Sequence, residues 1–244
     1  MNLVSLSIRS LLGCVVDLRC FLNASYFNSI KISQEVCDLN EGSNALINLE
    51  DKNEYLSVTF TDQDFSGQEI ASKEFDDCTF QGCNFSDASL KRCNFVDCEF
   101  VNCNLSNIDL GYSKFSEVAF HESKLVGIDW TKAAWSNFAF AAPIKFYKSI
   151  VNDSSFYGLS FQDFVLEECK AHSVDFREGD FSNSSFTYTD LTNSLFSNTN
   201  LISADFAEAT NYAIDVYRNE IKYAKFSRFE ATRLLDSLEI ELVD

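Results

Sequence analysis

The sequence predicts a solenoid, one elongated domain wound from five-residue units, and three observations predict it. The first is a period. Every fifth residue from Phe60 to Phe140, 17 positions, is large and apolar; from Phe146 to Phe226 another 17 positions follow the same rule, displaced by one residue and broken only at Ala171 and Asn211. The second is composition: of the 24 Phe in the chain, 19 occupy these slots. The third is a companion position. Within Phe75–Phe100 a small residue stands two places before each apolar one, at Cys78, Cys83, Ala88, Cys93 and Cys98. A period of five fits neither a 3.6-residue helix nor a two-residue strand. Large apolar residues make up roughly a third of ordinary sequence, so chance does not produce the run. A fixed internal period marks a repeat architecture.

Units such as Cys83-Asn84-Phe85-Ser86-Asp87, Ser123-Lys124-Leu125-Val126-Gly127, Thr189-Asp190-Leu191-Thr192-Asn193 and Ala204-Asp205-Phe206-Ala207-Glu208 resemble pentapeptide repeats. That family's pattern is small, Asp/Asn, Leu/Phe, Ser/Thr/Arg, Gly, and the resemblance covers about residues 56–230. It implies an all-β fold, a right-handed quadrilateral parallel β-helix with four pentapeptides per coil. The central Phe or Leu and the small residue two before it would point inward, and the other three positions outward. The physics of a repeat agrees. One five-residue side cannot bury its apolar residue alone, whereas stacked turns share a continuous core. Residues 20 apart then lie one above another at about 4.8 Å. The 34 units correspond to 8.5 coils, a rod roughly 40 Å long at that spacing. Closed coils leave edges only at the two ends, which need caps.

At 244 residues the chain is long enough for one large core. Residues 1–55 stand outside the period. Leu11–Leu22 is apolar but interrupted by Asp17 and Arg19, which leaves three readings open: a cap on the first coil, a signal peptide, or an extension that is not well folded. No stretch approaches 18 uninterrupted apolar residues, so no spanning helix is expected. Cys78, Cys83, Cys93, Cys98, Cys103 and Cys169 all fall in the small inward slot, where Cys is read as a compact apolar residue. Their spacings are multiples of five rather than the close pairs zinc requires, so no metal is expected. Cys78 with Cys98, and Cys83 with Cys103, should stack in adjacent coils at a separation a disulfide could span. So many inward thiols suit a reducing cytoplasm.

Residues 141–149 contain the only proline, Pro143, and Phe140 to Phe146 spans six residues. This predicts a one-residue bulge at one corner, with local widening around Trp130 and Trp135. At the C terminus Ser227-Arg228-Phe229-Glu230 has the capping-box pattern and introduces a helix carrying Leu234, Leu235 and Leu238. Glu239–Val243 alternates like a short strand. The expected organisation is therefore an N-terminal extension over 1–55, a β-helix over 56–230 and a helix with tail over 227–244. The C-terminal end resembles Qnr-like members of the family, which implies a homodimer joined end to end through Leu234, Leu235 and Leu238.

No catalytic constellation is visible. The two histidines, His121 and His172, are 51 residues apart and each follows an inward residue. No nucleophile–base pair, Gly-rich phosphate loop or cofactor motif is present, so the expectation is a non-enzymatic chain without cofactors. Charge is more informative. The net charge is −18, which disfavours nucleic acid and anionic membrane as direct partners. Over 56–230 the net is −12. A duplex of about 40 Å carries about 24 negative charges, so the rod has roughly half its linear density. Asp77, Asp97 and Glu117 are 20 apart in equivalent outward slots and predict an acidic stripe. The densest segment adds Asp175, Glu178, Asp180, Asp190, Asp205 and Asp215. These nine residues are the expected partner surface, and reversing Asp175, Asp180, Asp190 and Asp205 to Lys is the test the sequence suggests.

The charge suggests a DNA mimic that binds a basic protein surface. The family resemblance, to Qnr- and MfpA-like members, implies a type II topoisomerase, DNA gyrase or topoisomerase IV, and quinolone protection. Qnr members carry loops that project from the coil; this sequence shows only a one-residue slip, which resembles MfpA more. The alternative is a structural or adaptor rod with an unrelated protein partner.

Overall fold

The computed structural model of the protein describes residues 49, 52–135, 143–238 and 240. The chain divides into two units, Met1–Asn44 and Ala45–Asp244, and every described residue belongs to the second. The three readings of the N-terminal segment, the slot at Phe140 and, apart from Ile240, the strand expected at Glu239–Val243 lie outside the described residues.

The second unit is a parallel β-solenoid with four faces. Face I stacks β1 (Glu54–Leu56), β3 (Glu74–Asp76), β5 (Asn94–Val96) and β7 (Lys114–Ser116). Face II stacks β2 (Thr59–Thr61), β4 (Thr79–Gln81), β6 (Glu99–Val101), β8 (Val118–His121), β9 (Ile144–Tyr147) and β10 (Val165–Glu167). Higher on the same face β11 (Asp205–Phe206) pairs with β12 (Lys225–Phe226). Faces III and IV are joined by single bridges such as Asn84↔Asn104 and Ser89↔Asp109. The register advances by four five-residue sides per coil, as in Phe60↔Phe80↔Phe100. Five residues per side leave room for a three-residue strand and a sharp corner, which explains why no strand exceeds four residues.

The apolar slots point inward as the period predicts. Phe60, Phe80, Phe100, Phe120 and Phe146 stack with centroids 4.6–5.1 Å apart and planes within 19°. Each also meets another ring edge-on, as Phe80 meets Phe85 at 5.4 Å and 75° and Phe120 meets Trp130 at 5.9 Å and 68°, so every ring has both favoured aromatic geometries. The corner residue two places after the slot takes positive φ. Glycine fills it only at Gly67, Gly82, Gly127 and Gly158; elsewhere residues such as Asp77, Asp97, Asn102 and Glu117 adopt the left-handed conformation. Side chains there project away from the coil, and this is why Asp77, Asp97 and Glu117 are exposed.

The small slot has a role beyond compactness. Its hydroxyl or thiol donates to the carbonyl of the apolar residue one coil below: Cys98 Sγ to Phe75 O (3.4 Å), Ser123 Oγ to Phe100 O (3.3 Å), Thr189 Oγ1 to Leu166 O (2.7 Å). Where the group is a hydroxyl it also accepts a backbone N–H, as Ser123 Oγ does from Cys103 N (3.0 Å). These backbone groups face the core, where an unmatched one costs about 1–3 kcal/mol. The cysteines are therefore weak donors as well as fillers. All six are buried and free, so the stacked pairs do not form the disulfides their spacing allows. Burial pushes the Cys169 thiol up to about 12. In the stacked pairs the hydrogen bond from the partner thiol, then burial, raises Cys98 and Cys103.

At the first coil the same slots carry longer side chains that close the edge. Gln63 Nε2 donates to Thr61 O (2.8 Å) and Gln68 Nε2 to Asp64 O (3.0 Å). Lys73, one coil up, reaches down to Lys52 O (2.6 Å).

Three expectations are corrected. The slip near Pro143 is not a one-residue bulge. Phe100 pairs with Phe120 in the regular step, but Phe120 pairs with Phe146, Lys124 with Ile150 and Asp129 with Ser155, so this coil holds six residues more than its neighbours. They lie between Trp135 and Ile144, and the absence of a loop inferred from the period is withdrawn with the bulge. The second correction concerns the slots at Asn211 and Val216. Asn211 is an exposed corner with φ 59°, and Tyr212 and Ile214 are buried instead, Ile214 bridging Phe196 two positions early. At Ala171, the other break, the apolar position is buried but small; in the same coil Phe164 occupies a small slot and is fully buried. The exchange of large for small keeps the coil's core volume near constant.

The third correction is at the C terminus. The helix there is a 3₁₀ helix, Glu230–Leu238, and the capping box is not made. Ser227 Oγ instead donates to Glu208 (2.8 Å) and accepts Glu208 N (2.7 Å), while Glu230 accepts Asn211 N (3.1 Å). Both residues fasten the helix to the preceding coil. Leu234 packs against the core, so the helix covers part of the last coil.

Candidate functional site

No group of three His, Cys, Asp or Glu converges to hold a metal among the described residues, and no described helix is long and apolar enough to cross a membrane. His121 stacks on Tyr147 at 4.9 Å, and His172 Nε2 lies 2.8 Å from Asp190 Oδ2. The candidate site is the exterior of the coil, and its chemistry is charge.

The register sorts the charges by face. Face I and its corner column carry Glu54, Glu74, Asp76, Asp77, Asp97, Glu117, Asp163, Asp180 and Glu220 against Lys73, Lys114 and Lys222, a net of −6. Face II nets −3, with seven carboxylates facing Lys145, Lys148, Lys225 and Arg228. Face III nets −2 and face IV −1, the latter because Lys91, Arg92, Lys132 and Arg177 offset five acids. The exterior is thus one anionic side with near-neutral sides opposite.

Of the nine residues expected to form the partner surface, the structure brings Asp77, Asp97 and Glu117 into one exposed corner column. Ser57 donates to Asp77 at 2.8 Å, and Lys145 pairs with Glu117 at 3.0 Å, closing the upper end of the column. Asp76 and Glu99 flank it, both exposed; the period did not single them out, because they occupy different outward positions of their units.

The remaining six are not brought together. Asp175 and Glu178 lie on face IV, Asp180 on face I, Asp190 on face III and Asp205 on face II, with Asp215 above face IV. Most are occupied by the fold. Asp175, Asp180, Asp190, Asp205 and Asp215 each accept the backbone N–H two residues on, at 2.8–3.1 Å. This is the local turn that lets Asp and Asn start a corner. They also tie coils together: Lys225 to Asp205 at 2.8 Å, Asn200 to Asp180 at 2.9 Å, Asn211 to Asp190 at 2.9 Å. The Arg177 guanidinium holds the Asp175 carboxyl below its ordinary value. Burial pushes the Asp190 carboxyl up, but hydrogen bonds from Thr192, Asn211 and His172 outweigh it and bring the group well below the usual carboxylate range.

The three leucines divide as well. Leu234 is held against the coil, whereas Leu235 and Leu238 are half-exposed beside a C-terminal end that also shows Tyr223 and Phe229, 73% and 88% exposed.

Residues 73–143 match a model described as the pentapeptide repeat region, and residues 180–210 match pentapeptide repeats (8 copies). No curated protein matches the chain. Among solved structures, a trypsin-treated form of QnrB1, a plasmid-mediated fluoroquinolone resistance protein, is 22% identical. That alignment covers 78% of this chain and 92% of QnrB1, with a TM-score of 0.52. HetL from the cyanobacterium Nostoc, a pentapeptide repeat protein involved in heterocyst differentiation regulation, is 11% identical. It covers 72% of this chain and 76% of its own, with a TM-score of 0.58. At these identities the likeness is one of fold. The five-residue period, the four-faced coil that it winds and the matched segments agree: residues 73–143 and 180–210 are pentapeptide repeats, wound into the solenoid that the solved structures share.

Proposed function

We propose that this protein is a non-catalytic binding rod whose face I takes the place of DNA on a basic protein surface, with a type II topoisomerase, DNA gyrase or topoisomerase IV, as the partner. The observation that carries the reading is the one-sided charge. Nine carboxylates stand along face I and its corner over nine coils, about 38 Å at the inter-strand spacing. That averages one per about 4 Å, against a phosphate spacing of about 3.4 Å along one DNA strand, and six of the nine fall in the four coils from Tyr55 to Phe115. A basic groove built for DNA meets a comparable row of anions, presented on a stiff backbone that loses little entropy on binding. QnrB1, named for fluoroquinolone resistance, supports the choice of partner through its shared fold, which is an analogy of architecture.

The test is a supercoiling assay with purified gyrase, with and without a quinolone. The wild-type rod is expected to inhibit supercoiling or to restore it in the presence of the drug. The variant Asp76→Lys, Asp77→Lys, Asp97→Lys, Glu99→Lys is expected to do neither while melting like the wild type, since among these four only Asp77 has a side-chain hydrogen bond, the one from Ser57. No effect of the wild type on either reaction removes the topoisomerase reading. An effect that survives the reversal moves the docking surface elsewhere and favours an adaptor.

The rod is further proposed to pair with a second copy through its C-terminal end. Leu235, Leu238, Phe229 and Tyr223 offer an apolar end surface that the 3₁₀ helix leaves uncovered. Sedimentation should show a dimer that Leu235→Asp with Leu238→Asp converts to a monomer of unchanged circular dichroism; a monomeric wild type would end this part of the reading.

A further inference from the structure

The coil with six additional residues is bonded to the coil above it on three faces and not on the fourth. On face II, Val118–His121 pairs with Ile144–Tyr147. On face III, Leu125 N donates to Ile150 O at 2.7 Å, and on face IV Trp130 N donates to Ser155 O at 3.0 Å. On face I, no hydrogen bond or bridge among the described residues joins 133–135 to 159–162. One coil higher, the equivalent face I bonds are both made: Phe161 N to Asp180 O at 2.7 Å and Asp180 N to Leu159 O at 2.9 Å.

The core is interrupted at the same place. From Tyr55 through Phe115 the face I rings stack with planes within 13°. Trp135 tilts 30° from Phe115, and Phe161 meets Trp135 edge-on at 83°. The small-slot link is absent from the coils on both sides of the seam. In a regular coil a hydroxyl or thiol from above takes the face IV carbonyl, as Thr199 takes Phe176 O at 3.1 Å. Above Leu110, Trp130 and Phe156 that slot holds Ala133, Leu159 and Gly179, none of which has a donor, and the Trp130 carbonyl is taken by the Trp135 indole of its own coil at 2.8 Å.

We infer that this seam is a joint in the solenoid: the coils up to Trp135 and those from Ile144 onward are hinged through faces II, III and IV and open along face I. Backbone bonds and ring stacking lapse there together, and each is continuous on that face below the seam. Elements with few bonds between them open at lower free energy than their surroundings. Opening changes the curvature of the side that carries the largest share of the charge, so the joint would let a stiff row of carboxylates follow a curved surface.

Residue-resolved hydrogen exchange on the full chain tests this. The amides of Trp135 and Ser160 are expected to exchange at least tenfold faster than those of Leu125, Trp130 and Ile150 at the same level of the rod. Protection at Trp135 and Ser160 equal to theirs would overturn the joint. Deleting residues 136–141 restores the five-residue step from Trp135 to Phe146, and the deletion variant is expected to raise protection at Ser160 at least tenfold. A folded deletion variant with Ser160 exchange unchanged would also overturn the inference; one that does not fold leaves the wild-type comparison as the deciding measurement.

Discussion

Replacing Asp175, Asp180, Asp190 and Asp205 together by Lys is expected to unfold the upper half of the coil rather than to report on partner binding. Each of these carboxylates accepts the N–H of the residue two places on. Each also holds a second group: Arg177, Asn200, Asn211 with His172, and Lys225 respectively. Hydrogen bonds to charged groups contribute about 1.5–3 kcal/mol when shielded. Asp175, Asp190 and Asp205 keep 21–34% of their side-chain surface exposed, which reduces this to roughly 1 kcal/mol each. The four share no partner and lie on four faces, so the losses add to about 4 kcal/mol. That is a large share of a typical total of about 5–15 kcal/mol. Lysine can neither accept the N–H nor pair with Arg177 or Lys225, so repulsion is added to the loss.

The Asn versions separate turn from charge. Asn keeps an oxygen for the N–H and should preserve the corner, while removing the titrating group. Asp175, Asp190 and Asp205 all have carboxyls held below their ordinary value. A carboxyl lowered in the folded state contributes stability that is present above its unfolded value, about 3.9, and that disappears as pH falls through its folded value. Wild-type melting temperature should therefore drop steeply below about pH 4, and the Asn set should show a shallower acid limb from a lower starting point. Circular dichroism melts at pH 7 and pH 3 measure both effects. A Lys set that melts within about 2 °C of wild type, against the several degrees that about 4 kcal/mol predicts, would show that these carboxylates are surface decoration after all.

This result bears on how far the sequence could be read. The period identifies which residues point inward, because burial is a property of a single position and repeats with the backbone. It identifies an outward column such as Asp77, Asp97 and Glu117 for the same reason, since their spacing is one whole coil. It cannot separate an acidic residue that faces a partner from one that closes its own turn. Asp97 and Asp175 are both outward, but one follows the apolar slot at the corner and the other precedes it, where its oxygen reaches the backbone. The period also measures spacing only modulo five. Six additional residues and one additional residue shift the frame identically, so the count alone could not tell them apart, and only the pairing of Phe120 with Phe146 does. Asn211 failed for a related reason: Tyr212 beside it is large enough to fill the core from the next position, and a slightly shortened coil absorbs the difference. The 3₁₀ helix was visible in its apolar spacing, but the partners of Ser227 and Glu230 belong to the coil below, at a distance of 19 residues that a local motif does not see.

Phe100→Ala is expected to be the most damaging single truncation in the face II stack. Phe100 is 1% exposed. Its ring lies 4.6 Å from Phe80 and 5.0 Å from Phe120 in parallel planes, and meets Phe85 and Phe95 edge-on at 6.0 and 5.8 Å. Removing a buried Phe side chain costs about 3–5 kcal/mol in transfer and cavity energy together. The backbone here cannot collapse into the space, because Phe100 is fixed above and below by ladder bonds to Phe80 and Phe120, which places the cost at the upper end. Leu56→Ala, on a strand of the adjacent face but 70% exposed, should change stability by no more than about 0.5 kcal/mol. Urea unfolding of the two variants makes the comparison, and a loss below about 1 kcal/mol for Phe100→Ala would contradict a close-packed ring stack. The location of the damage is as telling as its size. In a solenoid each coil is stabilised by its immediate neighbours alone, so hydrogen exchange in Phe100→Ala should rise first in the coils containing Phe80, Phe100 and Phe120 and leave the bonds of Ser185 and Asp205 as slow as before. A globular core would spread the same loss over the whole molecule; a stack of coils has no path by which to do so.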